Sequence, residues 1–438
     1  MKRRVVISGI GVVAPNGATT ESFWKACLDG SAAVASIPAS WRQYAVFGST
    51  LWAPLPAVDF SAYRISRIEQ MQQDKTALLA MAAAEQALAG AGLAAELRDE
   101  KKNIFSLSSL DPARGGVYMG TGVGGIVSFS QNQNHHLQAP LAPHVAPEAR
   151  ELLRFPARFH PFAVAMTMPN SAAASLGIRY GLTGPNTTVS NACAAGLCAI
   201  GRAYEAIASG TVDFALCGGT EYLNDGFGGV FRAFDIARTL VRDCGDAQTA
   251  NRPFDERRSG FLFAEGGCAV LLLEARDAAL SRGRTPVAEI TGFAESFDAY
   301  SIMAPEPSAV AVSRMVERAC RDAHIDIRDI DYVNAHATGT LLNDIVESAV
   351  IERLFGRRPL VNATKSLTGH AIAASGAIEA AVTALSVNRK TTHACKNLDR
   401  PVRQLNFVRA PVTFPIRNAL TQSFGFGGHN AAMIVSEA

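Results

Sequence analysis

Short apolar runs alternate with alanine-rich stretches of helical spacing along most of this chain, and that alternation most restricts its fold. VVISGIGVV (5–13), GGVYMG (115–120), TTVS (187–190), DFALCGG (213–219) and AVLLLEA (269–275) read as buried strands. KTALLAMAAAEQALAGAGL (75–93) repeats apolar positions at helical spacing and ends at glycines, which predicts a helix. Strands alternating with helices argue for a layered α/β fold.

A faint internal repeat runs through this pattern. EGGCAVLLLE (265–274) resembles GGHNAAMIVSE (427–437), each a glycine turn followed by a strand. AAGLCAIGRAYEAIASG (194–210) resembles ASGAIEAAVTALSVN (374–388), each a helix of small residues. PVAEITGFAES (286–296) echoes RRVVISGIGVV (3–13). These echoes predict two similar halves, residues 1–280 and 281–438, packed as one body. Residues 30–70 and 127–165 are less regular. The second segment, with QNQNHHLQAPLAPHVAP, is expected to serve as a binding loop or interface element.

The net charge of +2 excludes a strong field for nucleic acid or an anionic membrane. MKRR precedes an apolar run, as in a secretory signal, but Gly9, Gly11 and Pro15 break the run, so a first buried strand is expected. No stretch of about 18 apolar residues predicts a membrane-spanning helix. Cysteines 27, 193, 198, 217, 244, 268, 320 and 395 are scattered, without zinc spacing, and several lie in apolar runs. They read as buried reduced thiols of a cytoplasmic protein.

Four segments could carry chemistry. In SNACAAGLCAIGRAYEAIASG, Cys193 falls between TTVS and a helix with Leu197, Ile200, Tyr204 and Ile207 on one face. A helix N-terminus there favours thiolate, and the neighbouring alanines leave room for substrate. A small core cysteine is the alternative. In DYVNAHATGTLLNDIVE a strand delivers His336 to its carboxyl end, where α/β folds place chemistry; a structural histidine is the alternative. In NATKSLTGHAIAASGAIEAAV, Lys365 precedes His370 at a turn into a helix, and a solvated loop lysine is the plain reading of Lys365. In TQSFGFGGHNAAMIVSE, residues Gly425-Phe426-Gly427-Gly428 suit an oxyanion hole with a hydrophobic gate, or a glycine hairpin. Gly120-Thr121-Gly122-Val123-Gly124-Gly125 formally matches a dinucleotide fingerprint. However, IVSFSQNQNHH after it is a poor helix, and no acidic residue ends a second strand about 20 residues on.

Taken in order, these four segments resemble an elongating β-ketoacyl-ACP synthase of the type I/II class, in the thiolase-fold superfamily. The resemblance spans nearly the whole chain, from ISGIGVVAPNG to SFGFGGHNAA, and the ordered set is far more specific than any one motif. It implies a thiolase-like α/β body of five layers, α-β-α-β-α, with Cys193 in the N-terminal half and His336, Lys365, His370 and the gating loop in the C-terminal half. It implies that Cys193 accepts the acyl group and that His336 and His370 are the catalytic histidines. Lys365 and Glu347 match the nearby lysine and the glutamate on the helix after His336. Phe426 matches the gate and oxyanion donor, with Gly425 and Gly427 beside it, and Thr338 and Thr340 match contacts to pantetheine. The family usually has glycine at the positions of Ala337 and Ala264 and threonine at those of Asn191 and His429. His429 is bulky and lies beside the gate, where it is expected to bear on substrate choice or on a cation-linked turn.

The implied reaction is decarboxylative condensation of an acyl group on Cys193 with malonyl-ACP, elongating a fatty-acid, polyketide or polyene chain without metal or organic cofactor. A thiolase would place a second cysteine in the last glycine loop, and an initiating synthase would carry Cys, His and Asn. A chain-length partner subunit would lack the nucleophile, and a cysteine hydrolase would pair one histidine with Asn or Asp. An acidic acyl carrier protein is the implied partner, with Arg64, Arg67 and Arg202 as candidates for a basic rim. A homodimer is implied, with a heterodimer of related subunits as the other possibility.

Overall fold

The apolar run behind Lys2-Arg3-Arg4 becomes β1 (Val5–Val13), buried along its whole length. The computed structural model describes residues 2–242 and 245–438. Further strands are β2 (Gly115–Gly120), β3 (Asn186–Val189), β4 (Phe214–Tyr222), β5 (Gly266–Ala275), β6 (Ala288–Phe297), β7 (Tyr332–Asn334), β8 (Leu360–Asn362), β9 (Asn418–Gly425) and β10 (His429–Ser436). Among the described residues these make one ten-stranded sheet, in the order β8-β7-β9-β10-β6-β1-β5-β4-β2-β3. From edge to centre, β1–β5 run third, second, fourth, fifth, first, and β6–β10 repeat that order. Directions repeat as well. β2 is parallel to β3 and β4, as β7 is to β8 and β9. The remaining pairs of each run are antiparallel. A short antiparallel contact, Val5–Ile7 of β1 against Ala288–Ile290 of β6, joins the two runs.

Helices α1 (Lys75–Gly90), α2 (Ile126–Gln138), α3 (Ser171–Tyr180), α4 (Ala195–Ala208), α5 (Val310–Asp322), α6 (Leu341–Phe355) and α7 (Ala373–Arg389) complete the layers. α4 and α7 lie between the two runs of strands, α1 and α3 cover β1–β5 from outside, and α5 and α6 flank β6–β10. The result is the five-layered arrangement. The strands show why: Ala269, Leu271 and Leu273 of β5 face the central helices, while Cys268, Val270 and Leu272 face α1. In β10, Ala431, Met433 and Val435 face inward, and Ala432 and Ile434 face outward. Both faces are apolar because both are covered, and each such Leu, Ile or Val stabilises the fold by about 1.5–3 kcal/mol when buried.

The sequence echoes fall on equivalent elements: β1 with β6, β5 with β10, and α4 with α7. The small residues of the two central helices also have a reason. A Cβ added at Gly196 would lie 2.5 Å from the Ala373 carbonyl oxygen. Only near-bare backbone lets the N-termini of α4 and α7 approach so closely, and those N-termini carry Cys193 and His370.

One expectation is corrected. IVSFSQNQNHH is not a poor helix but most of α2, so residues 127–165 begin regularly. Long-range contacts hold this polar sequence helical. Asp74 accepts from Ser128, the Asn132 side chain accepts the His160 N–H at 2.7 Å, and His135 packs edge-on against Phe155 and Phe159. Cys27, Cys193, Cys198, Cys217, Cys268, Cys320 and Cys395 are free and buried, and Cys244 lies outside the described residues. Among the described residues, no helix is long and apolar enough to cross a membrane.

Candidate active site

Between β3 and α4 the chain turns sharply through Ala192, whose φ of +47° is the left-handed region that alanine normally avoids at a cost of about 1–2 kcal/mol. The turn sets Cys193 at the head of α4, 4% exposed. Burial pushes its thiol up to about 11, against the Lys365 ammonium and the N–H groups of Phe426 and Cys193 itself, which pull it down. The expectation of a resting thiolate is therefore corrected: desolvation outweighs the helix terminus, and the group rests as a thiol at neutral pH. Gly425 is fixed by this turn, since a Cβ there would lie 2.7 Å from the Asn191 carbonyl oxygen.

His336 lies two residues past β7, where Ala337 takes a φ of +45°. Glu347, in the second turn of α6 and fully buried, accepts the His336 and Ala337 N–H groups at 2.7 Å each, and its carboxylate also takes the Gln422 amide. Burial raises this carboxyl to about 7, the same hydrogen bonds opposing. Lys365 is 1% exposed, which overturns the solvated-loop reading. Its Nζ meets the His336 Nδ1 at 3.1 Å, the His336 carbonyl at 2.7 Å and Glu379 Oε1 at 2.5 Å. An ammonium only donates. Nδ1 of His336 must therefore accept, and the ring proton sits on Nε2. Burial, followed by the Lys365 charge, holds His336 and His370 far below the usual histidine range, so both rings are neutral.

His370 brings Nε2 to 3.1 Å from the Cys193 sulfur, and its ring stands perpendicular to that of His336 with centroids 5.5 Å apart. Two residues on, Ile372 has a φ of +47°. Cys193, His336 and His370 thus each have a nearby non-glycine residue at positive φ, strain of the kind that collects where surrounding bonds over-determine the backbone. Cys193, His336 and His370 open on a cavity of about 450 Å³ that Thr338, Thr340 and the 424–428 loop also line. The Thr338 and Thr340 hydroxyls are 2.9 Å apart. The loop is the hairpin between β9 and β10. Gly427 and Gly428 have φ of +86° and +88°, and the Gly427 N–H donates to the Ile302 carbonyl.

Sequence reasoning missed several neighbours. Glu379, the partner of Lys365, could have been noticed as the lone acidic residue in a helix of small residues. Ser375 lies 2.9 Å from the His370 Nδ1, and Phe424 packs edge-on against His336; their residue types give no signal. Of the proposed basic rim, Arg64 is tied to Glu85 and Arg202 to Glu205 and Glu295, and neither these nor Arg67 line the cavity. The exposed Arg238 does. His429 does not line the cavity either, and instead packs against Phe297. The glycine-rich 120–125 turn is already full: Glu221 of β4 accepts the N–H groups of Gly122 and Val123, the Thr121 hydroxyl and the N–H of Ala373 at the head of α7.

Residues 2–278 match the family described as Beta-ketoacyl synthase, N-terminal domain, and residues 287–399 match Beta-ketoacyl synthase, C-terminal domain. The 3-oxoacyl-[acyl-carrier-protein] synthase 2 of Vibrio harveyi is 33% identical over 99% of this chain and 98% of its own length. One similar solved structure is a ketosynthase bound to a hexaketide in complex with its type II PKS acyl-carrier protein. It is 27% identical, with a TM-score of 0.84 and full coverage of both chains. The ishigamide ketosynthase/chain length factor is equally similar, at 27% identity and a TM-score of 0.84 over the whole of both chains. With both parts of the sequence matched and a one-third-identical relative aligned from end to end, this chain belongs to the β-ketoacyl synthase family.

Proposed function

We propose that the chain elongates an acyl group held on Cys193 by decarboxylative condensation with malonyl-ACP. The observation that carries this reading is the pair of neutral histidines facing one buried cysteine across a single cavity. In the first step the acyl group passes from a pantetheine sulfur to the Cys193 sulfur, and the thiol proton passes to the departing pantetheine. The N–H groups of Cys193 and Phe426 hold the oxyanion, with Gly425 and Gly427 shaping the loop around it. In the second step a malonyl thioester enters past Thr338 and Thr340. Its carbon–carboxylate bond breaks, CO₂ leaves, and the electron pair becomes an enolate whose oxygen takes hydrogen bonds from His336 and His370. The enolate carbon attacks the acyl carbonyl, the carbon–sulfur bond breaks, and the Cys193 thiolate takes up a proton from solvent. Lys365 and Glu347 act as supports, one fixing the His336 ring and the other its backbone turn.

An acyl carrier protein delivers both substrates, with Arg238 as the basic group at the mouth. Two halves meeting near residue 280 supply the nucleophile and the histidines respectively, a division supported by the repeated strand order. The protein works in the cytoplasm as a homodimer or paired with a related subunit. The test is loading with acyl-ACP followed by malonyl-ACP. Intact mass should show one acyl group on the wild type and none on Cys193→Ala, and β-ketoacyl-ACP should form only with the wild type. Loading of the alanine variant would rule out Cys193 as nucleophile, and release of free acid would mark a hydrolase.

A further inference from the structure

We propose that Ser375 is a positioning residue that holds His370 with its proton on Nε2, as Lys365 does for His336. The inference rests on the condensation reading above and adds the second half of the histidine arrangement.

His370 is 2% exposed and Ser375 3%. The His370 backbone is pinned on both sides, its N–H donating to the Leu262 carbonyl at 2.7 Å and its carbonyl accepting the Ala264 N–H. Phe261 stands edge-on to the ring. With the ring so placed, Nδ1 meets a single hydrogen-bonding group in the described structure, the Ser375 hydroxyl at 2.9 Å. That oxygen already accepts the Ala371 N–H at 2.9 Å. Its own hydrogen then has one recorded acceptor, Nδ1. A hydroxyl that takes a backbone N–H and gives its hydrogen to Nδ1 leaves the ring proton on Nε2, 3.1 Å from the Cys193 sulfur. Ser375 also sits in the first turn of α7, whose positive end disfavours a second proton on the ring. Both histidines then present Nε2–H to the space where an enolate oxygen forms. One is set by a charged donor and the other by a neutral hydroxyl.

The experiment separates the two half-reactions in purified full-length Ser375→Ala and Ser375→Thr. Serine-to-alanine strands Nδ1 and lets the proton choose either nitrogen. CO₂ release from malonyl-ACP should fall by about 10- to 100-fold, less than the about 10² to 10³ for deleting an oxyanion donor outright. Loading of Cys193 by acyl-ACP should fall less than CO₂ release does, because the enolate oxygen that takes Nε2–H forms only in the second step. Loss of the hydroxyl donor makes the ring easier to protonate, so the acidic limb of the decarboxylation profile should move to higher pH. Threonine, which keeps the hydroxyl, should restore rate and profile. Should alanine not fold, Ser375→Cys, similar in size and a weaker donor, is judged by the same outcomes. CO₂ release within about twofold of wild type with an unmoved profile overturns the proposal, as does equal loss of loading and decarboxylation. A wild-type enzyme that releases no CO₂ from malonyl-ACP overturns the condensation reading instead.

Discussion

Lys365 has three N–H bonds and three acceptors, and this match locks the His336 ring. Removing the lysine alone would leave Glu379 buried beside an empty site, a change that commonly costs about 3–5 kcal/mol. The informative variant is therefore Lys365→Ala combined with Glu379→Gln, which leaves no lone charge. It is expected to fold, to load acyl groups on Cys193, and to release CO₂ from malonyl-ACP about 10² to 10³ times more slowly, as scintillation counting of labelled CO₂ would show. At this scale the sequence was informative about position: Cys193, His336 and His370, which line one cavity, could be picked out at turns beside a strand or helix. Their supports could not. Glu379 and Ser375 act through distances of 2.5 and 2.9 Å to residues met only after folding. The protonation state of Cys193 was also misjudged, because burial is not visible in a local motif.

The elements that deliver these side chains are held by carboxylates and strained by their own backbone. Ala337 stands in a left-handed conformation between His336 and Thr338, with its N–H on Glu347. Glycine would relieve the strain while adding freedom to the unfolded chain, and the first effect is the larger one at positive φ. Ala337→Gly is expected to raise stability by about 0.5–1 kcal/mol, measured by denaturant unfolding, with little change in loading of Cys193. Most strands and the long apolar helices were readable from periodicity alone. α2 was not, because its helicity comes from Asp74, His160 and the phenylalanines at 155 and 159 rather than from its own pattern. At the glycine turn 120–125, whose sequence only formally matches a dinucleotide fingerprint, a carboxylate from β4 occupies the N–H groups.

Across the whole molecule, opposing sets of buried groups set the pH response. Burial raises Glu221 and Glu347 to about 7 and also pushes Glu379 upward, from a starting value of 4.5. Over that window the folded state binds more protons than the unfolded one, so these groups make stability fall as pH rises. Burial lowers His336 and His370, and takes His393 from 6.5 to about 4, so these groups make stability rise with pH up to 6.5. The slopes cancel in part below pH 6.5, and above it only the carboxylates act. The melting temperature is expected to vary little between about pH 5 and 6.5 and to fall towards pH 8. Glu221→Gln should tilt the lower part upward with pH, and a melt series across that range would show whether it does. At this scale the duplicated plan was hinted at by three sequence echoes, whereas the way in which the two copies share a central layer emerges only from the close packing of α4 and α7. Glu221 also crosses that layer, since it accepts the Ala373 N–H as well as those of Gly122 and Val123. One buried carboxylate therefore rivets a strand of the first copy to a helix of the second. Prying the two apart would strip that carboxylate of the Ala373 N–H and break the close approach of α4 to α7, so the two copies hold together as one body.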